Sequence, residues 1–164
     1  STDEEEIRQM AKIGSQKGLI EADEAARISK VFQLNDLKAK DLMIPRVSAP
    51  SIDGSEMLSN ISQLLISNNS PWWVVLGDKV DKIQGVAKRE LLLTALLEGD
   101  NSKLVSELCD PVDYIPEMIK VDKLLTTFDK DRKGVKVVVD EFGGFVGLIG
   151  SEAVLSVLAG WWKK

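Results

Sequence analysis

The sequence predicts an α+β fold made of two copies of one β-α-β-β-α unit, preceded by a helical segment. Three observations carry this reading. The short apolar run Trp72–Leu76 returns 63 residues later as Val135–Val139. The helical stripe Met57, Ile61, Leu64 returns at an offset of 64 as Val121, Leu125, Phe128. Gly85 returns at an offset of 62 as Gly147. One unit alone is too small to bury its sheet, so the two copies are expected to pack together and intertwine.

The elements follow in order. Thr2 or Asp3 caps a first helix whose Glu4, Glu5 and Glu6 suit the positive N-terminal end, and Ile7, Met10 and Ile13 form its apolar stripe. A second helix is expected from Glu21 to Phe32, with a turn at Asn35-Asp36. A short helix near Lys38–Met43 stops at Pro45, and a strand is expected over Ser48–Ile52. Helix Glu56–Ser67, strand Trp72–Leu76, strand Ile83–Ala87 and helix Glu90–Glu98 complete the first copy. The second copy reads as a short helix Leu104–Leu108, strand Asp113–Ile115, helix Val121–Asp131, strands Val135–Val139 and Phe145–Ile149 around a Glu141–Gly144 turn, and a closing helix Glu152–Leu158. This divides the chain into a helical linker (1–37), a first repeat (38–101) and a second repeat (102–164).

Composition narrows the function. The chain has 164 residues, with 44% hydrophobic and 29% charged, which is ordinary for a globular domain. Its 21 basic and 26 acidic residues leave a net charge of -5, which argues against nucleic-acid binding. The absence of histidine removes Ser-His and Cys-His catalysis and His-containing metal sites, and the single Cys109 cannot form an internal disulfide. No apolar run reaches the ~20 residues of a membrane helix. No nucleophile–base pair is visible, so no catalytic residue is assigned. Starting at Ser1 without a signal-peptide pattern, the chain reads as a soluble cytoplasmic piece of a longer protein.

Several motifs together resemble a known family. Lys40-Asp41-Leu42-Met43-Ile44-Pro45-Arg46 is similar to the lead-in motif of tandem CBS-domain pairs in CorC/HlyC-type, cyclin-M-like membrane proteins linked to magnesium export. Asp110-Pro111 and Tyr114-Ile115-Pro116 stand at the matching lead-in of the second repeat. Val138-Val139-Asp140-Glu141-Phe142-Gly143-Gly144, followed by Gly147-Leu148, resembles the family's Val-Asp-Glu-Tyr-Gly-Gly segment. The resemblance implies a regulatory module on the cytoplasmic side of the inner membrane, a membrane domain preceding it in the same protein, a homodimer, and AMP or ATP with magnesium as ligand. The residues by themselves name no cofactor and no metal ligand.

The same resemblance implies where a nucleotide would sit, and the chain departs from the pattern there. The family places a hydroxyl after the third strand and an Asp three residues on, for phosphate and ribose. Here those positions are Gly150 and Ala153, with Ser151 beside the first. After Gly85 the segment reads as one residue short, with Lys88 at the hydroxyl position and Glu90 near the carboxylate. Lys88 is therefore the candidate for phosphate and Glu90 for ribose, against the alternative of surface charges at a helix start. Tyr114, Ile115 and Val137 are the candidate backbone contacts to adenine. In Trp72-Trp73, alternation turns one ring to the core and the other to a partner or pocket. Trp161-Trp162 reads as a contact surface. The cluster Lys130-Asp131-Arg132-Lys133 with Lys136 either attracts phosphate or is a solvated helix end. The alternative to nucleotide sensing is a ligand-free dimerisation module with degenerate clefts.

Overall fold

The two copies of the repeat trade their lead-in segments. The computed structural model describes residues 3–78, 82–130 and 134–163. The side chains of 129–130 and 161–163 also lie outside the described residues, so the basic cluster at 130–133 and the Trp161-Trp162 surface cannot be placed.

The front end is a helical hairpin of α1 (Glu4–Gln16) and α2 (Ala22–Asp36). Asp3 Oδ1 accepts the Glu6 N–H at 2.9 Å and caps α1. α2 runs four residues past the expected end, through the predicted Asn35-Asp36 turn. Tertiary contacts hold that last turn wound: Asp36 pairs with Arg8 of α1 at 2.9 Å, and the Leu37 carbonyl accepts from Val121 N–H. The Arg8 guanidinium also lies 5.6 Å from the Phe32 ring centroid.

The first repeat contains α3 (Ala39–Leu42), β1 (Ile44–Pro45), β2 (Ser51–Asp53), α4 (Leu58–Ser67), β3 (Trp72–Leu76), β4 (Ile83–Lys88) and α5 (Arg89–Leu97). β2 starts later than the expected Ser48 because Ser48 and Ala49 fold back as a turn, both N–H groups donating to the Pro45 carbonyl. The second repeat contains a 3-10 turn (Val105–Leu108), β5 (Asp113–Pro116), α6 (Val121–Lys130), β6 (Val135–Val139), β7 (Phe145–Gly150) and α7 (Ser151–Lys163).

Two sheets result, with strand orders β2-β3-β4 and β1-β7-β6-β5. β2 runs parallel to the central β3 and β5 parallel to the central β6, while the hairpin partners β4 and β7 run antiparallel to them. The exchange shows at the edges. β1 of the first repeat pairs with β7 of the second, Ile44 opposite Leu148 and Pro45 opposite Gly147. Asp110, leading into the second repeat, bridges Val86 on β4 of the first. The two matched glycines make these crossings possible. A Cβ on Gly85 would strike the Asp110 carbonyl oxygen and come within 2.6 Å of Cys109 Sγ; on Gly147 it would strike Met43 Sδ and lie 2.7 Å from the Ile44 oxygen.

Three apolar layers hold the molecule. Leu58, Ile61, Leu65, Trp73, Val75, Leu92 and Val105 form one core, so the 3-10 turn of the second repeat packs into the first. Ala39, Ile115, Val121, Leu124, Val138, Ile149 and Val154 form the other, with α3 of the first repeat packed into the second. Between the sheets lie Val74, Val86, Val135, Val137 and Leu148. The chain thus forms two helix-covered sheets placed face to face.

Candidate functional site

The site grows from the two junctions where a hairpin strand becomes a helix. At the first, the Arg89 N–H opening α5 donates to the Pro71 carbonyl at 2.9 Å. At the second, the Ser151 N–H opening α7 donates to the Gly134 carbonyl at 2.8 Å. Each bond ties a helix start to the residue just before the central strand region of its own repeat. From Gly85 to the start of α5 and from Gly147 to the start of α7 the spacing is the same. The first junction is therefore not a residue short relative to the second: Lys88 matches Gly150, Arg89 matches Ser151 and Glu90 matches Glu152. The residue count read from the sequence erred because the drift between copies falls in the β3–β4 and β6–β7 connections, not at the helix starts.

Both junctions open on one central cleft of about 580 Å3. Its lining includes Trp72 and Lys88 from the first repeat, Ile44 from β1, and Leu148, Gly150, Ser151, Glu152 and Ala153 from the second. Trp73 is 3% exposed, its indole N–H donating to the Ser70 carbonyl at 3.0 Å. Trp72 points the other way into the cleft, and the Lys88 ammonium sits 5.8 Å from its ring centroid. An ammonium over an indole face is held in a defined place while remaining open to an anion.

The candidates read from the sequence separate here. Lys88 and Ser151, assigned to different repeats, line the same cleft. Glu90 does not; it lines an adjoining surface hollow with Lys88, Arg89 and Thr94. Tyr114, Ile115 and Val137 are not among the residues lining the central cleft. The Ile115 side chain is buried in the second core and Val137 lies in the layer between the sheets. Tyr114 stands at the edge of that layer, its hydroxyl 3.5 Å from the Ile83 carbonyl of the opposite sheet. Sequence reasoning missed Ile44 as a cleft residue, because its position depends on the exchange of β1. It also missed a smaller cavity of about 110 Å3 between the sheets, lined by Arg46, Ala49, Ser51, Val74 and Phe145 among others. Asp140 serves the β6–β7 turn, its Oδ1 accepting from the Phe142 and Gly144 N–H groups at 2.9 and 2.8 Å.

No protein-family model matches the chain. Curated relatives do. A UPF0053 protein of Synechocystis sp. is 41% identical over 160 residues, covering 98% of this chain and 46% of that protein. The magnesium and cobalt efflux protein CorC of Vibrio cholerae is 27% identical over 158 residues, covering 96% of this chain and 54% of that protein. The chain thus spans about half the length of these two relatives. Among solved structures, the CBS domain of a bacterial CNNM/CorC family Mg2+ transporter superposes with a TM-score of 0.76 at 27% identity, covering 98% of both chains. The CBS domain of a bacterial CNNM/CorC family Mg2+ transporter in complex with ATP superposes at 0.73 with 28% identity, over 84% of this chain and 98% of that one. The exchanged β-α-β-β-α repeats and these likenesses along nearly the whole sequence identify the chain as a tandem CBS-domain pair of the CNNM/CorC type.

Proposed function

We propose that the chain is the regulatory module of a membrane protein of the magnesium or cobalt efflux type, held on the cytoplasmic side of the inner membrane, and that its central cleft senses an adenine nucleotide. The observation that carries this reading is the meeting of Lys88, Trp72 and Ser151 from two repeats in one cleft. The Lys88 ammonium supplies charge to a phosphate, the Ser151 hydroxyl donates to a phosphate oxygen, and the Trp72 face flanks the ligand. ATP in the related CBS domain supports the choice of ligand class. A cleft built from both repeats reports occupancy by fixing their relative placement. Ile44 in the cleft wall is joined through α3 to the helical hairpin, which in this reading leads toward the membrane domain.

Calorimetry with AMP, and with ATP with and without magnesium, tests it. Lys88→Ala is expected to weaken ATP binding about tenfold or more, since a charge-assisted hydrogen bond contributes roughly 1.5–3 kcal/mol and 1.4 kcal/mol is tenfold. Glu90→Ala is expected to do less, because Glu90 lies in the adjoining hollow. Low-micromolar affinity that survives replacing both by Ala overturns the assignment. One observation favours a second reading, a ligand-free dimerisation module: Gly150 and Ala153 bring neither hydroxyl nor carboxylate to the cleft. No uptake of millimolar nucleotide would select it.

A further inference from the structure

The sheet β1-β7-β6-β5 ends in three turns that lie side by side. β1 and β7 are antiparallel, so Arg46 and Val47, just past β1, stand beside the start of β7, and the Arg46 N–H donates to the Val146 carbonyl at 2.8 Å. The β6–β7 turn carries Phe142. β5 ends beside the end of β6, Pro116 opposite Val139, and the turn that follows carries Met118. Val47, Phe142 and Met118 are 94%, 88% and 51% exposed. The matching end of the other sheet is polar among the described residues, with Gly54 and Ser55 after β2 and Gly77 and Asp78 after β3. The apolar rim therefore belongs to one repeat and is not a requirement of the fold.

The turns that carry these side chains use their own amides. The Ser48 and Ala49 N–H groups donate to the Pro45 carbonyl, the Phe142 and Gly144 N–H groups to Asp140 Oδ1, and the Ile119 N–H to the Pro116 carbonyl. Backbone closed in this way enters an apolar medium at a lower cost than open backbone, whose groups would lose water without a partner. Single apolar tips on separate turns also suit a fluid surface, which needs no matching shape. Arg46, Lys38 and Lys120 on and beside the turns offset Glu117, Asp140 and Glu141, so charge neither drives nor opposes the approach to a bilayer.

The helical hairpin joins the molecule at this same rim. Lys38 bridges Lys120, and the Lys40 N–H donates to the Glu117 carbonyl at 3.0 Å, so the end of α2 arrives beside Met118. The Arg8–Asp36 pair folds α1 back to the end of α2. The chain spans 46% of its UPF0053 relative from Synechocystis, and in the reading proposed above the rest of the protein, membrane domain included, attaches through this hairpin.

We infer that the rim of Val47, Met118 and Phe142 is a lipid-facing surface that seats the module on the bilayer to which the whole protein is tethered. The inference rests on the membrane-protein reading of the chain. A few apolar side chains bind a bilayer only weakly and reversibly, but tethering makes the contact intramolecular and raises its occupancy. The rim lies on the second repeat, so seating fixes that repeat against the membrane and leaves the first free to move with the occupancy of the cleft.

Fluorescence of the 164-residue chain tests it, with the chain held by an N-terminal histidine tag on phosphatidylcholine vesicles that carry a nickel-chelating lipid. An environment-sensitive dye is placed at Glu141→Cys on the rim or, as a control, at Glu98→Cys after α5, both in a Cys109→Ser background. A blue shift is expected at 141 and not at 98, equal with and without added phosphatidylserine. Val47→Ser with Phe142→Ser is expected to abolish it while leaving the melting curve unchanged, since both side chains are exposed. No shift at 141, an equal shift at 98, a shift that needs phosphatidylserine, or one that survives the double substitution overturns the inference and leaves the membrane-protein reading standing. Release of the whole protein from cell membranes by alkaline carbonate, which retains spanning proteins, overturns both.

Discussion

Gly85 and Gly147 show how single atoms decide the architecture. Each lies where the other repeat's lead-in segment crosses a hairpin strand, and neither is at a positive φ, so the requirement is space and not backbone conformation. The obstacles differ. At Gly147 the nearest atom belongs to the flexible Met43 side chain, whereas at Gly85 it is the Asp110 backbone carbonyl. Gly147→Ala is therefore expected to cost about 1–3 kcal/mol, the usual range for overpacking, and Gly85→Ala more. At about 2–4 °C per kcal/mol for a chain of this size, thermal melting separates the two. Equal, near-zero shifts would show that the crossings are loose. The glycines stood out in the sequence as matched positions, but their reason is a contact with a segment remote in sequence, which spacing cannot reveal.

At the scale of elements, the helical hairpin and α3 contribute very differently to the fold. α1 leaves Met10 exposed, as its connection to α2 leaves Leu19, and joins α2 through the Arg8–Asp36 pair, whose side chains are 26% and 57% exposed. An exposed pair of this kind contributes about 0.2–1 kcal/mol. α3 is short, yet Ala39 is fully buried in the second core, and its Ala39 and Lys40 N–H groups donate to the Ile119 and Glu117 carbonyls. Deleting residues 1–36 is expected to leave a cooperative melt within a few degrees of the parent. Deleting 1–43 removes Ala39, Leu42 and Met43 from that core and is expected to abolish the cooperative transition by circular dichroism. Comparable melts for the two truncations would contradict the division of labour. The short helix before Pro45 was legible in the sequence; its docking into the other repeat was not, because a four-residue helix carries no periodicity that names its partner.

At the scale of the whole molecule, the outer helices remain partly uncovered. Ile66 of α4, Leu97 of α5 and Leu155 of α7 are 66%, 88% and 57% exposed. Exposed apolar residues on the helical faces of a thin two-sheet body favour a second copy as cover, the homodimer that the family resemblance implies. Light scattering is expected to give twice the 18.1 kDa chain mass, and Leu97→Glu or Ile66→Glu is expected to shift it toward the monomer. A monomer mass for the unmodified chain at high micromolar concentration would contradict this. Nucleotide at 100 times its dissociation constant is expected to stabilise the chain by about 2.7 kcal/mol, a rise in melting temperature that a tenfold weaker Lys88→Ala variant should cut to about half at the same concentration.

The sequence by itself determined the α+β class, the repeat and the strands Trp72–Leu76 and Val135–Val139, whose observed bounds match those read from their apolar runs. It did so because buried strands and amphipathic helices are set by local hydrophobic pattern and turn residues. The resemblance of its motifs to a known family also nominated Lys88 and Ser151, which stand at and beside the positions where that family places a phosphate-binding hydroxyl. Only the tertiary structure decided that these two residues share one cleft, that Ile44 walls it and that Glu90 stands outside it. Each of these depends on the exchange of lead-in segments between repeats, which brings together residues about a hundred positions apart by backbone pairing, such as Ile44 with Leu148, that leaves no periodic trace in either partner.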